Sequence, residues 1–246
     1  MSEHELKQHI VSSFDRDLEG IQAQILKMGG LVEVAIHDAA KSLETRDEEL
    51  AEQVQKGDMA VDALEDAINE EAARVIAMRA PTAIDLRVVL TVMRMAGNLE
   101  RIGDLSKNMA KRTTVLSQMS PIGTSTASLR RMAREVEHML KDALDAYIKR
   151  DEALALDVIE RDEDVDQIYN TLFREFLTFM LEDPRNITSC MHLHFIAKNI
   201  ERMGDHVTSI AEQVVFLATG EKPEDARIKA DRTSSDATLT QDIEPE

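Results

Sequence analysis

The chain has 246 residues, with 29 Lys and Arg against 47 Asp and Glu, which gives a formal net charge of −18. A surface this acidic repels phosphodiester backbones and anionic lipid, so the composition argues against nucleic-acid binding and against electrostatic docking on membranes. The chain contains only 9 Gly, 5 Pro and no Trp, and aromatic residues make up 3% of it. This composition favours helices over sheets, and we therefore predict an all-α protein.

Cysteine usage and the apolar runs indicate the compartment. Cys190 is the single cysteine and cannot form an intramolecular disulfide. The N-terminal segment is too charged to be the apolar part of a signal peptide. No apolar run approaches the roughly 20 residues that a transmembrane helix needs. The sequence therefore predicts a cytoplasmic protein without direct membrane insertion.

Helical periodicity extends over almost the whole chain, and the few helix breakers divide it into six long helices. The predicted limits are residues 6–44, 48–78, 83–116, 129–149, 152–181 and 184–219. Thr82 and Asp85 have the spacing of a capping box at the start of the third helix. Asp183 followed by Pro184 predicts an N-cap and first turn for the sixth helix, and Gly220 ends it. Residues 117–128 are expected to form the one substantial loop.

A seven-residue motif occurs twice. Asn98 to Asp104 reads NLERIGD, and Asn199 to Asp205 reads NIERMGD, so five of the seven positions are identical. Shorter matches upstream recur at a similar offset, which is the pattern of an internal repeat. We therefore predict two tandem three-helix bundles.

The duplication also sets the expected domain organisation. The predicted units are residues 1–116, residues 117–220 and a tail of residues 221–246. The tail contains four basic and eight acidic residues, several Ser and Thr, and almost no large apolar side chains. Segments of this composition cannot bury enough apolar surface to fold, so we predict an acidic disordered tail.

Four pairs of acidic residues are spaced four apart, which places both members of a pair on one helical face. The pairs are Asp58/Asp62 and Asp162/Asp166 on the second helix of each repeat, and Glu100/Asp104 and Glu201/Asp205 on the third. Antiparallel packing of those two helices can bring four carboxylates together in each bundle. Neighbouring carboxylates repel one another unless a cation lies between them, and oxygen ligands suit hard cations and iron. The sequence predicts a metal site in each repeat. Oxygen ligation suits Mg²⁺, Mn²⁺, Ca²⁺ and iron, and the candidate cofactors are Mg, Mn, Fe or Zn.

Other interpretations of the acid pairs exist. In a chain with 47 acidic residues, a single pair is more often a solvated helix face, and it is the duplication that favours metal binding. The motif arginines, Arg101 and Arg202, could instead form salt bridges with the motif aspartates three residues later. Gly103 and Gly204 each cost a helix about 1 kcal/mol relative to Ala. We interpret them as positions where a neighbouring helix approaches closely.

The duplicated motif, the segment RAPTAIDLR at residues 79–87 and two three-helix repeats of this length resemble the PhoU family. The resemblance covers residues 6–220. It implies a cytoplasmic, non-enzymatic regulator, often a homodimer, that restrains phosphate uptake and the phosphate-starvation response. The implied partners are the ATPase component of the phosphate ABC transporter and the phosphate-sensing histidine kinase.

The same resemblance implies metal clusters held by a Glu/Asp-x-x-x-Asp motif, which maps onto Glu100/Asp104 and onto Glu201/Asp205. The pairs Asp58/Asp62 and Asp162/Asp166 fit that pattern with the shorter Asp in first place. Two functions of other classes remain compatible with the residues. One is a metal-dependent helical phosphohydrolase, and the other is a purely structural helical adaptor. No phosphate-binding loop, nucleophile elbow or Cys-x-x-Cys motif occurs, so the sequence favours a protein that is not an enzyme.

Overall fold

The computed structural model describes residues 3–123, 125–221 and 223, with side chains described from residue 16 onward. Six α-helices and no strand occur in these residues, so the all-α prediction is confirmed. The helices are α1 (Glu3–Thr45), α2 (Glu48–Arg79), α3 (Ile84–Leu116), α4 (Ser125–Lys149), α5 (Glu152–Glu182) and α6 (Ile187–Thr219). The predicted acidic tail lies outside the described residues, apart from residues 221 and 223.

The helices form two three-helix bundles that share one core. In the first bundle α2 packs against α1 and α3, and in the second α5 packs against α4 and α6. The bundles meet where α1 packs on α4 and α3 packs on α6, so α2 and α5 flank a central group of four helices. Residues such as Ile36, Leu99, Met139 and Ile200 are fully buried in the shared core. The predicted pair of three-helix repeats is confirmed.

The duplication extends to the local geometry of the turns before α2 and α5. Arg46 and Arg150 both adopt left-handed backbone conformations, with φ of 56° and 52°. The next residue, Asp47 or Asp151, caps the following helix by accepting a hydrogen bond from the backbone N–H three residues later. These bonds are 2.9 and 3.1 Å long. An N-cap aspartate satisfies one of the free N–H groups of the first turn, which fixes where each helix begins.

The predicted capping box before the third helix is wrong. Ala83 is the residue that precedes α3, with φ 48° and ψ −112°, and it makes no side-chain cap. Thr82 contributes its carbonyl instead, which accepts a hydrogen bond of 3.2 Å from the N–H of Asp85. Because the chain turns at Ala83, Thr82 lies one residue too early to act as the N-cap.

Two other helix starts differ from the sequence prediction. Helix α4 begins at Ser125 instead of at residue 129, because the Ser125 side chain is buried and its hydroxyl donates to Glu175 Oε1 at 3.4 Å. This tertiary contact overrides the weak helix propensity of a Ser/Thr-rich stretch. Asp183 acts as an N-cap as predicted, but Pro184 opens a 3₁₀ turn over Pro184–Asn186, and α6 follows it. Gly220 ends α6 with a φ of 87°, as predicted.

None of the helices in the described part of the chain is both long enough and apolar enough to cross a bilayer.

Candidate metal centres

The structure brings the predicted acid pairs together at two helix interfaces, here called seams. Each seam lies where a flanking helix, α2 or α5, packs against a helix of the central group of four. Cluster I lies between α2 and α3, and cluster II lies between α5 and α6. The members of cluster I are Asp58, Asp62, Glu100 and Asp104. The members of cluster II are Asp162, Asp166, Glu201 and Asp205. Each cluster therefore combines one acid pair from each of two helices, as the antiparallel arrangement predicts.

The motif glycines lie where these helices touch. A Cβ atom on Gly103 would lie 3.4 Å from Asp58 Oδ1, and one on Gly204 would lie 3.0 Å from Asp162 Oδ1. A side chain at Gly204 would therefore press on the acid of the facing helix, whereas the tightest neighbour of a Cβ on Gly103 is Val61 of the facing helix, at 3.3 Å. The interpretation of these glycines as points of close helix approach is confirmed in both repeats.

Lys107 dominates the electrostatics of cluster I. Its Nζ contacts Asp58 Oδ2 on α2 and lies 2.5 Å from Asp104 Oδ1 on α3, so one ammonium joins the two helices. The hydrogen bond to Asp104, followed by the one to Asp58, raises the pKa of Lys107 above its ordinary value. Asp58 is only 6% exposed, and its other oxygen, Oδ1, has no hydrogen-bond partner. The lysine therefore compensates part of the charge of the cluster and leaves one buried carboxylate oxygen unsatisfied.

Two acids of cluster I, Asp62 and Glu100, have a pKa above the ordinary value. Burial raises the pKa of Asp62, and the neighbouring charge of Asp58 raises it further. Burial also raises the pKa of Glu100, although Arg101 partly opposes the rise. Arg101 is 63% exposed and lies 3.4 Å from Glu100 and 4.0 Å from Asp104, so the alternative salt bridge with the motif aspartate is present. Exposed pairs of this kind contribute little, so the main basic partner of cluster I is Lys107.

In cluster II, Glu201 is 5% exposed, and Asp166 and Asp162 are also buried, at 7% and 8% exposed. Lys198 donates to Glu201 Oε1 at 2.8 Å, while Oε2 has no hydrogen-bond partner. Burial raises the pKa of Glu201, the hydrogen bond from Lys198 opposes the rise, and the charges of Asp205 and Asp166 add to it. Lys198 Nζ also lies 5.0 Å from the centre of the Tyr169 ring. The charge of Asp166 on α5 therefore acts on Glu201 of α6 across the helix interface.

The two lysines do not occupy matching positions of the repeats. At the motif offset of 101 residues, Lys107 corresponds to Thr208, and Lys198 corresponds to Gly97. Thr208 is fully buried, and its hydroxyl donates to the backbone carbonyl one turn earlier at 3.0 Å. Sequence reasoning missed both lysines. The available signal was their spacing, because each lies three residues from a motif acid on the same helix.

The donor chemistry of both clusters fits a hard cation. As the side chains stand, no three His, Cys, Asp or Glu groups of the described residues form a ready metal site. Each cluster nevertheless presents only carboxylate oxygens and contains one buried oxygen without a partner, Asp58 Oδ1 or Glu201 Oε2. Oxygen ligands suit Mg²⁺, Mn²⁺ and iron better than Zn²⁺, which prefers nitrogen and sulfur. In each cluster a lysine ammonium already lies against the carboxylates.

Two surface cavities lie elsewhere on the molecule. A cavity of about 530 Å³ lies between α4 and α5 and is lined by residues that include Arg131, Glu135 and Asp164. Another, of about 240 Å³, lies between α1 and α4 beside Arg130 and Arg134. None of the eight cluster acids lines either cavity. Both clusters are therefore features of helix seams and lie apart from these cavities.

Comparison with known proteins identifies relatives of this chain. A family model described as the PhoU domain matches residues 25–113 and again residues 129–214. Three relatives are named phosphate-specific transport system accessory protein PhoU homolog. The one from Caulobacter vibrioides is 42% identical over 92% of this chain and 98% of its own. The relative from Rhizobium meliloti is 44% identical over 94% and 98%, and that from Zymomonas mobilis is 47% identical over 90% and 93%.

Solved structures agree with the sequence comparison. The crystal structure of PhoU from Pseudomonas aeruginosa has a TM-score of 0.81 and 38% identity, covering 85% of this chain and 100% of that one. The structure of the phosphate transport system regulatory protein PhoU from Streptococcus pneumoniae has a TM-score of 0.79 and 29% identity, covering 86% and 99%. Two domain matches in one chain also agree with the duplicated motif and the two bundles. This chain belongs to the PhoU family.

Proposed function

We propose that this protein is an accessory regulator of phosphate-specific transport that restrains phosphate uptake when phosphate is plentiful. The observation that carries the proposal is identity of 42–47% to transport accessory proteins over at least 90% of the chain. Similarity over the whole length includes both bundles and both motifs, so it concerns the working protein and not one shared segment. The names of these relatives describe accessory proteins, which supports a regulatory and non-enzymatic role.

The proposed partners are the ATPase component of the phosphate ABC transporter and the phosphate-sensing histidine kinase. A net charge of −18 supports docking on basic cytoplasmic surfaces, because complementary charge steers association and suppresses wrong partners. Helices of 31 to 33 residues, such as α5 and α3, span about 45–50 Å and offer extended docking faces. We further propose that the protein acts in the cytoplasm as a homodimer.

We also propose that clusters I and II bind divalent or iron ions. A bound cation would supply positive charge and fixed coordination geometry between the facing acid pairs. The acids themselves would join α2 to α3 in the first bundle and α5 to α6 in the second. Because metal binding stabilises the arrangement of its ligands, it would fix the surfaces that these helices present to a partner.

The test of the regulatory role uses a deletion strain. Deleting the gene should increase uptake of radiolabelled phosphate in phosphate-rich medium and activate a phosphate-starvation reporter. Expression of the intact chain should restore both to the wild-type level. Pull-down from phosphate-replete and phosphate-starved cells should recover the transporter ATPase and the sensor kinase. Unchanged uptake and an unchanged reporter in the deletion strain would refute the regulatory role.

Purified protein tests the remaining components of the proposal. With Mg²⁺ or Mn²⁺ present, it should not hydrolyse pyrophosphate or nucleoside triphosphates, and turnover of either would favour a helical phosphohydrolase instead. Sedimentation should give the mass of a dimer. Metal-free protein that binds its partners undiminished would favour a purely structural adaptor.

A further inference from the structure

We infer that Lys107 competes with the metal ion of cluster I, so that this cluster binds metal only when the lysine is displaced. Cluster II has no lysine at the equivalent position, and the ammonium beside its acids is that of Lys198, which contacts Glu201. The two duplicated clusters therefore differ in which lysine accompanies the acids. The competition at cluster I presupposes the metal binding proposed above.

The position of the ammonium group is the first reason. Lys107 Nζ contacts a carboxylate of α2, Asp58, and a carboxylate of α3, Asp104, which lies 2.5 Å away. A metal ion that bridged the same two helices would need the same place between the same oxygens. Two cations cannot share it, because their charges repel at such short distance. Metal and ammonium therefore exclude each other in cluster I.

The lysine can also leave without disturbing the core. Its side chain is 23% exposed, whereas the side chain of Asp58 is 5% exposed. A lysine carries its charge on a flexible four-carbon stem and can move its ammonium into water while the stem stays packed. Displacement therefore needs a change of side-chain conformation only.

A metal ion would balance more of the carboxylate charge of cluster I, and bind more of its oxygens, than the ammonium of Lys107 does. One ammonium brings a single charge to four carboxylates, and Asp58 Oδ1 remains buried without a partner. A divalent cation brings two charges and accepts six or more oxygen ligands. Because the lysine already neutralises part of the cluster, the affinity for metal is lowered by the contacts that must be broken.

The second repeat has no lysine at the position that matches residue 107. Thr208 replaces Lys107 there, is fully buried and is uncharged. Its hydroxyl is hydrogen-bonded to the carbonyl of Gly204, within its own helix. The basic residue of cluster II, Lys198, approaches Glu201 from the opposite end of the motif. Competition between a lysine at this position and a metal ion is thus restricted to the first repeat.

Mn²⁺ titration followed by electron paramagnetic resonance tests the competition. In a Glu201→Gln/Asp205→Asn background, only cluster I remains intact. Lys107→Met in this background should bind Mn²⁺ more tightly by on the order of tenfold, because the charged contacts no longer oppose the metal. Lys107→Arg keeps the charge and should bind more weakly than Lys107→Met. Lys111→Met removes an exposed lysine one turn along the same helix and should leave the affinity unchanged.

Equal Mn²⁺ affinity in the background protein and in the Lys107→Met variant would overturn the competition while leaving metal binding intact. Absence of Mn²⁺ binding in the wild-type protein and in every variant would instead refute the proposed metal binding, and the competition with it. The two failures are therefore distinguishable.

A second measurement uses the wild-type protein and does not depend on any variant folding. An amine-acylating reagent, with the products located by mass spectrometry, reports how reactive each lysine is. Lys107 should react slowly without metal, because its ammonium is held between carboxylates, and at least severalfold faster once Mn²⁺ is bound. Lys111 should react at the same rate in both states. Unchanged or slower acylation of Lys107 in the Mn²⁺-loaded protein would overturn the inference.

Discussion

Cluster I and cluster II share one duplicated motif, yet a different lysine compensates the charge of each. Both keep the glycine at the helix contact, and both keep a buried acid with one unpartnered oxygen. Lys107 and Lys198 lie on opposite sides of the motif, at positions that Thr208 and Gly97 occupy in the other repeat. A Cβ atom at either glycine would crowd the facing helix, at 3.3 Å in the first repeat and 3.0 Å in the second, whereas a lysine at either end of the motif can reach the acids. Duplication therefore preserves the steric requirement more strictly than the electrostatic one.

The largest expected effect separates the two clusters by metal content. Glu100→Gln/Asp104→Asn should remove the metal of cluster I, and Glu201→Gln/Asp205→Asn that of cluster II, because each change removes the negative charges that attract a divalent cation. All four changes together should abolish bound metal, as measured by elemental analysis. The control is Glu160→Gln/Asp164→Asn, an exposed acid pair of the same spacing on α5, which should keep the full content. Unchanged metal content in the variant with all four substitutions would refute the assignment of these acids as metal ligands.

The next effect concerns the helix contacts. Gly204→Ala should destabilise the protein by about 1 kcal/mol, because the new Cβ would lie 3.0 Å from Asp162 Oδ1 and an overpacking cost of about 2 kcal/mol exceeds the gain in helix propensity of about 1 kcal/mol. Gly103→Ala meets its neighbours at 3.3 and 3.4 Å, and the gain in helix propensity of about 1 kcal/mol offsets that crowding. We expect it to change the free energy of unfolding by less than about 0.5 kcal/mol. Denaturant titration measures both, and the reverse order would contradict this account.

Where the two repeats keep the same local geometry, equivalent substitutions should change the stability of the protein by similar amounts. Asp47→Ala and Asp151→Ala each remove an N-cap of nearly identical geometry and should each cost about 1 kcal/mol of stability. Asn at either position keeps an acceptor oxygen and serves as the control, with little loss. Thermal or denaturant unfolding provides the measurement. Losses that differ by more than about 1 kcal/mol would show that the matching backbone geometry hides a different environment.

The smallest effect is a pH dependence confined to the second repeat. Burial, followed by the charge of Arg112, lowers the pKa of His192 below its ordinary value of 6.5, whereas the matching residue of the first repeat is Thr91, which does not titrate. The unfolded chain therefore binds a proton more readily, and stability should fall as the pH drops through 6.5. Partial exposure limits this to less than about 0.5 kcal/mol. His192→Gln should flatten that part of the stability curve, and parallel curves would contradict the prediction.

Much of the candidate site was predictable because its signals are local. Each acid pair lies within five residues of one helix, and the glycine lies inside the same motif, so spacing alone placed them on one face. The contact of Lys107 with Asp58 was not predictable in this way. It joins residues 49 apart on different helices, and which lysine reaches the seam depends on the register between those helices.

The helix boundaries show the same division between features set by local sequence and features set by tertiary contacts. Asp183 and Gly220 were located correctly because a cap and a left-handed terminus depend on residues within one turn. The start of α4 at Ser125 depends on burial against Glu175, on another helix. The failed cap at Thr82 depends on the backbone turn at Ala83, which no residue type demands.

The sequence by itself determined six helices, their duplication, the membership of the two carboxylate clusters and the resemblance to the PhoU family. These follow from periodicity and spacing, which a chain carries within a few residues of each position. Only the tertiary structure decided that Lys107 closes cluster I across two helices while Lys198 approaches cluster II from the other side of its motif. Charge compensation in a buried seam is set by which side chains the packed helices bring within reach, and packing joins residues that are distant in sequence.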